Sequence, residues 1–109
     1  MKETIQKILS EVPNSTEFYV FGSILSSPQP NDLDILVIYD SKVYPKANIY
    51  NACKSISEIL YKTFNLQVDL TVLSCSENDR IDFIKEVKAI KLKYFLQNSF
   101  LNRKIYKKK

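Results

Sequence analysis

Residues 17 to 38 decide the fold: Glu17-Phe18-Tyr19-Val20-Phe21-Gly22-Ser23, a loop from Ile24 through Ser26-Ser27-Pro28 to Asn31, then Asp32-Leu33-Asp34-Ile35-Leu36-Val37-Ile38. Glu17 to Phe21 is rich in aromatic and β-branched residues and reads as a short strand. Leu33 to Tyr39 is the most apolar run and reads as a central strand. Side chains alternate between the faces of a strand, so Asp32 and Asp34 share one face while Leu33 and Ile35 take the other. Two carboxylates so placed repel and raise each other's pKa unless a cation lies between them. A hard dication such as Mg²⁺ suits them, because it takes oxygen ligands and often shares them with substrate phosphates. The Gly22-Ser23 turn supplies the complement, since its backbone N–H groups can meet phosphate oxygens. Gly22 is the only glycine in the chain. It falls where such a turn needs a residue free to adopt φ > 0 or to let other groups approach closely. The pattern points to metal-dependent chemistry on a nucleotide.

Working outward, Gln67-Val68-Asp69-Leu70-Thr71-Val72-Leu73 alternates polar and apolar residues and reads as a half-buried strand. Asp is disfavoured in mid-strand. If this strand lies beside the one carrying Asp32 and Asp34, about 4.8 Å away, Asp69 joins the same metal site. Ile5, Ile8, Leu9 and Val12 have helical spacing over residues 4–12, and Pro13-Asn14-Ser15 stops that helix. The Gly22-Ser23 turn opens one helical turn that ends at Ser26-Ser27-Pro28. A helix is expected from near Lys46 to Phe64, with Ile49, Cys53, Ile56, Ile59 and Leu60 as its inner stripe and Asn65 at its C-cap. Ser76 is expected to N-cap a last helix, with Asp79 three residues on and Ile81, Ile84, Val87, Ile90 and Tyr94 on its core face. The fold class is α+β (α/β-like), in the order α-β-α-β-α-β-α. A small mixed sheet is expected, with helices packed on one face.

Gly-Ser, a loop, Asp-hydrophobic-Asp-hydrophobic and a later hydrophobic-Asp-hydrophobic strand resemble the DNA polymerase beta-type nucleotidyltransferase superfamily. The size resembles its minimal nucleotidyltransferase branch, whose members are often encoded beside a HEPN-type ribonuclease toxin. The segment after Asp69, with Phe83-Ile84 and Tyr94-Phe95, is similar to the closing helix of those small proteins. The resemblance implies the nucleotidyltransferase fold and transfer of a nucleoside monophosphate from a triphosphate, ATP foremost, to a hydroxyl of a partner protein or RNA. Asp32, Asp34 and Asp69 are then the catalytic residues and the ligands of two Mg²⁺ ions, with Mn²⁺ as a substitute. Gly22 and Ser23 bind the β- and γ-phosphates. A HEPN-type toxin is the implied protein partner, in an antitoxin-like role. The loop from Ile24 to Asn31 is a residue or two shorter than is usual in the family and lacks the Arg and Gly common in the minimal branch. A second reading therefore stays open, a non-catalytic module of the same fold that neutralises a partner by contact or binds nucleic acid.

Composition bounds the rest. The chain has 109 residues, enough for one domain with a single core. No apolar stretch approaches the roughly 20 residues of a membrane span, and the polar start Met1-Lys2-Glu3-Thr4 is unlike a secretory signal, so a cytoplasmic protein is expected. There is no His, and Cys53 and Cys75 have no metal-ligand spacing, which argues against zinc and for free thiols in a reducing compartment. Without His, the carboxylates are the groups left for proton transfer. The net charge of +4 is concentrated beyond Lys85, where Glu86 is the only acid. We expect a nucleotidyltransferase domain over residues 1–98 and a basic tail over 99–109. The tail is either a solvated segment or a contact for nucleic acid. A homo-oligomer is a further expectation, since acceptor recognition by so small a domain calls for a partner or a second copy.

Overall fold

Three strands form where the alternation places them, and a fourth forms where the sequence suggests a helix. In the computed structural model, which describes residues 2–101, they order as β3-β2-β1-β4 in one mixed sheet. β1 is Thr16–Phe21 and β2 is Asp32–Tyr39, paired antiparallel. β3, Gln67–Ser74, runs parallel to β2 along its whole length. β4, Ile90–Lys91, pairs antiparallel with Tyr19 and Val20 on the free edge of β1. β2 is an inner strand, as its apolar run requires.

The sheet's alternation sorts its residues between two clusters. Leu33, Ile35 and Val37 of β2, with Phe18 and Val20 of β1, face the larger cluster. Helix α1 (Lys2–Ser10) brings Ile8 there, and α2 (Lys46–Ala52) and α3 (Lys54–Phe64) bring Ile49, Ile56 and Leu60. Leu92, Phe95 and Leu96 come from α6, Leu92–Leu101. Burying each large aliphatic side chain there contributes about 1.5–3 kcal/mol. The expected helix over 46–64 is interrupted at Cys53, whose N–H is shared between the carbonyls of Ile49 (3.1 Å) and Tyr50 (3.2 Å). Both halves keep the predicted stripe facing the core. Asn65 ends α3 in the left-handed region, φ 55°.

The opposite face carries a smaller cluster of Tyr19, Leu36 and Ile38, against which Phe21, Leu73, Phe83, Ile84 and Ala89 pack. Here the structure corrects the single last helix. Ser74, not Ser76, is the N-cap of α4 (Cys75–Ile81), in a capping box with Glu77. The Glu77 carboxylate reaches back to the Ser74 N–H at 2.8 Å, a span the shorter Asp79 could not have offered Ser76 as well. Asp82 then turns left-handed and begins α5, Phe83–Glu86. Lys88 turns left-handed again, with Ala89 N–H to Ile84 C=O at 2.9 Å and Lys88 N–H to Lys85 C=O at 3.3 Å. That bonding pattern is a Schellman ending, with a lysine where glycine is usual. The chain leaves it extended and forms β4. Ile81, Ile90 and Tyr94, expected in the core, are consequently exposed. Residues 102–109, which hold most of the expected basic tail, lie outside the described residues.

Candidate functional site

Pairing in register brings the acids together. β2 and β3 run parallel with Asp34 opposite Asp69, so both side chains project from the same face. Asp32 lies two residues before Asp34 on that face. One carboxylate oxygen from each of Asp32, Asp34 and Asp69 falls within 4.8 Å of the others. Asp32 and Asp34 are half-buried and Asp69 is exposed at the sheet's β3 edge.

The electrostatics are those of unneutralised anions. The Asp32 carboxyl has its pKa raised by its neighbour Asp69, first through hydrogen bonding between the two side chains, then by partial desolvation and the Asp69 charge. Two carboxylates make such a contact only by sharing a proton or a cation. Asp34 is raised chiefly by burial, and then by repulsion from Asp32 and Asp69. Among the described residues, no basic side chain acts on either one. Three oxygen donors, mutually repelling and at ligand spacing, fit a divalent ion such as Mg²⁺.

Gly22 closes the site on the β1 side. Phe21 pairs with Asp34 across the β1–β2 ladder, so the next residue turns off immediately beside that carboxylate. Gly22 takes φ +84°, which only glycine adopts without cost. A Cβ there would collide with Oδ2 of Asp34 and stand 3.1 Å from its Cγ. Both reasons for a glycine, conformation and close approach, therefore hold at once. Gly22–Leu25 forms one 3-10 turn, in which the Ser23 carbonyl accepts from Ser26 N–H at 3.1 Å and Ser27 N–H at 2.7 Å. A turn that starts in this way leaves its first N–H groups free for a ligand. Ser23 is exposed at its start.

The family model described as polymerase beta, nucleotidyltransferase matches residues 3–93. The chain belongs to this family. No curated protein and no solved structure matches it. As a nucleotidyltransferase-family domain, it has the mixed α+β fold expected of its sequence pattern. Among the described residues, no helix is long and apolar enough to cross a membrane.

All five residues singled out in the sequence lie at one end of the sheet: Asp32 and Asp34 on β2, Asp69 on β3, and Gly22 and Ser23 just after β1. Two aromatic neighbours were not anticipated. Phe21 shares the face of Asp34, and Phe83 of α5 meets it edge to face, with ring centroids 5.5 Å apart at 90°. The alternation of β1 was enough to put Phe21 on that face. Phe83 was hidden by the helical reading of its segment.

Proposed function

We propose that this domain is a metal-dependent nucleotidyltransferase: an acceptor hydroxyl oxygen bonds to the α-phosphorus of a triphosphate, the bond from that phosphorus to the bridging oxygen breaks, and the nucleoside monophosphate moves to the hydroxyl as pyrophosphate leaves. The observation that supports this best is the meeting of three carboxylates from two parallel strands beside a glycine that has no room for a side chain. Asp32, Asp34 and Asp69 would hold two Mg²⁺ ions, with Mn²⁺ able to replace them. Bound there, such ions neutralise the triphosphate and lower the pKa of the attacking hydroxyl. Gly22 and Ser23 offer backbone N–H groups, and Ser23 its hydroxyl, to the β- and γ-phosphates. With no His in the chain, Asp69 would take the acceptor's proton. Its exposure at the sheet edge suits an acceptor that approaches from the β3 side.

The triphosphate is ATP foremost, and the acceptor is a hydroxyl on a partner protein or an RNA. The resemblance to the minimal branch favours a HEPN-type toxin as that protein, in an antitoxin-like pairing in the cytoplasm. Incubation of the chain with each α-phosphorus-labelled ribonucleoside triphosphate, Mg²⁺ and candidate acceptors tests the reading. Label should move to the acceptor with wild type and not with Asp69→Asn. Neutralisation of a partner by Asp69→Asn as effective as by wild type would support the contact-only alternative.

A further inference from the structure

Beside the carboxylates stands an aromatic wall to which the chemistry above gives no role. Its inner half is Phe21, the β1 partner of Asp34 and the residue immediately before the Gly22 turn. Its outer half is Phe83, edge-on to Phe21. Both rings are only partly buried, and both pack on the sheet face that bears the acids. Phe83 is not there by helical continuation. Left-handed Asp82 (φ 49°) and Lys88 (φ 55°), two non-glycine residues, bracket α5 and turn it onto the sheet face that bears the acids. Ile84 and Ala89 pin it against the cluster of Tyr19, Leu36 and Ile38.

The order across the sheet separates two approaches to the site. Asp69 lies on β3, at one edge, while the glycine turn and the aromatic wall both belong to the β1 side. A triphosphate held by the turn would carry its nucleoside on the side of the wall, leaving the β3 side to the acceptor. We propose that Phe83, backed by Phe21, is the stacking surface for the nucleobase of the bound triphosphate, and that α5 is the nucleoside-positioning segment. The inference rests on the nucleotidyltransferase reading above. A bare aromatic face accepts any base, and it offers purines the larger contact. It therefore favours ATP and GTP over CTP and UTP.

Comparing ATP with inorganic tripolyphosphate, both with Mg²⁺, isolates the nucleoside. Phe83→Ala should weaken ATP roughly 5- to 150-fold and leave tripolyphosphate unchanged. The chain has no tryptophan, so Phe83→Trp makes a single reporter that also restores the ring. Its emission should be quenched by ATP and not by tripolyphosphate, and its ATP affinity should equal or exceed that of wild type. This second variant keeps the packing of α5 and answers the question if Phe83→Ala fails to fold. Undiminished ATP binding by Phe83→Ala, equal loss of both ligands in a folded variant, or an unresponsive tryptophan in a protein that binds ATP would overturn the stacking role alone. Wild type that binds neither ligand would overturn the nucleotidyltransferase reading, and the stacking role with it.

Discussion

Gly22→Ala is the smallest change that tests how the site is assembled. Two separate costs are legible. A left-handed φ of +84° costs an alanine about 1–2 kcal/mol. The new methyl also meets Oδ2 and Cγ of Asp34, an overpacking of a kind that costs about 1–3 kcal/mol. Together they predict a loss of about 2–5 kcal/mol in unfolding free energy. The two terms can be separated, because only the second needs the Asp34 carboxyl. In an Asp34→Ala background the carboxyl is gone and only the Cβ contact at 3.3 Å stays, so the same Gly22→Ala change should cost little beyond the conformational term of about 1–2 kcal/mol. A double-mutant cycle by urea unfolding should thus give a coupling of about 1–3 kcal/mol. Gly22→Ala should also abolish Mg²⁺-dependent triphosphate binding, since Asp34 must swing away from Asp32 and Asp69 to admit the methyl. A variant within about 0.5 kcal/mol of wild type, with additive effects and intact binding, would refute the close approach.

Asp34→Asn should raise the melting temperature of the metal-free protein, because it removes an anion that is partly buried and repelled by Asp32 and Asp69. Mg²⁺ should then raise the melting temperature of wild type much more than that of the variant, which thermal scans with and without the ion would show. Glu77 bears on pH. Its carboxylate is held below the ordinary 4.5 chiefly by the Ser74 backbone N–H, and also by the Ser74 hydroxyl. Its charge therefore stabilises the fold above the ordinary value, and that contribution is lost as pH falls through the lower folded value. Glu77→Gln should be the less stable protein at neutral pH, with the gap closing in acid; a gap independent of pH would contradict the capping box.

The strand pattern carried most of the placement of the candidate site residues. Asp32 and Asp34 were placed by alternation alone, and Asp69 by being a lone acid in a half-buried strand. What alternation could not supply was the neighbour relation, and the parallel register that sets Asp34 against Asp69 is a tertiary fact. The stripe of Ile49, Cys53, Ile56 and Leu60 was legible because a buried face repeats with the helical period. The segment after Ser74 misled for an equally physical reason. Ile81, Ile84, Val87 and Ile90 repeat as a helix would, but Asp82 and Lys88 take left-handed conformations that side-chain type does not announce. Neither is a glycine, so no punctuation marks the turn. What offsets their backbone cost is packing, since the breaks seat Phe83 and Ile84 on the sheet and free Ile90 and Lys91 to pair with β1.

The most direct test of the central claim is calorimetric titration of ATP into wild type and Asp34→Asn, each with Mg²⁺ and with excess chelator. The account predicts binding by wild type with Mg²⁺, none with chelator, and none by a folded Asp34→Asn under either condition. Binding that survives chelation or the loss of the Asp34 charge would contradict a metal-bridged nucleotide at Asp32, Asp34 and Asp69.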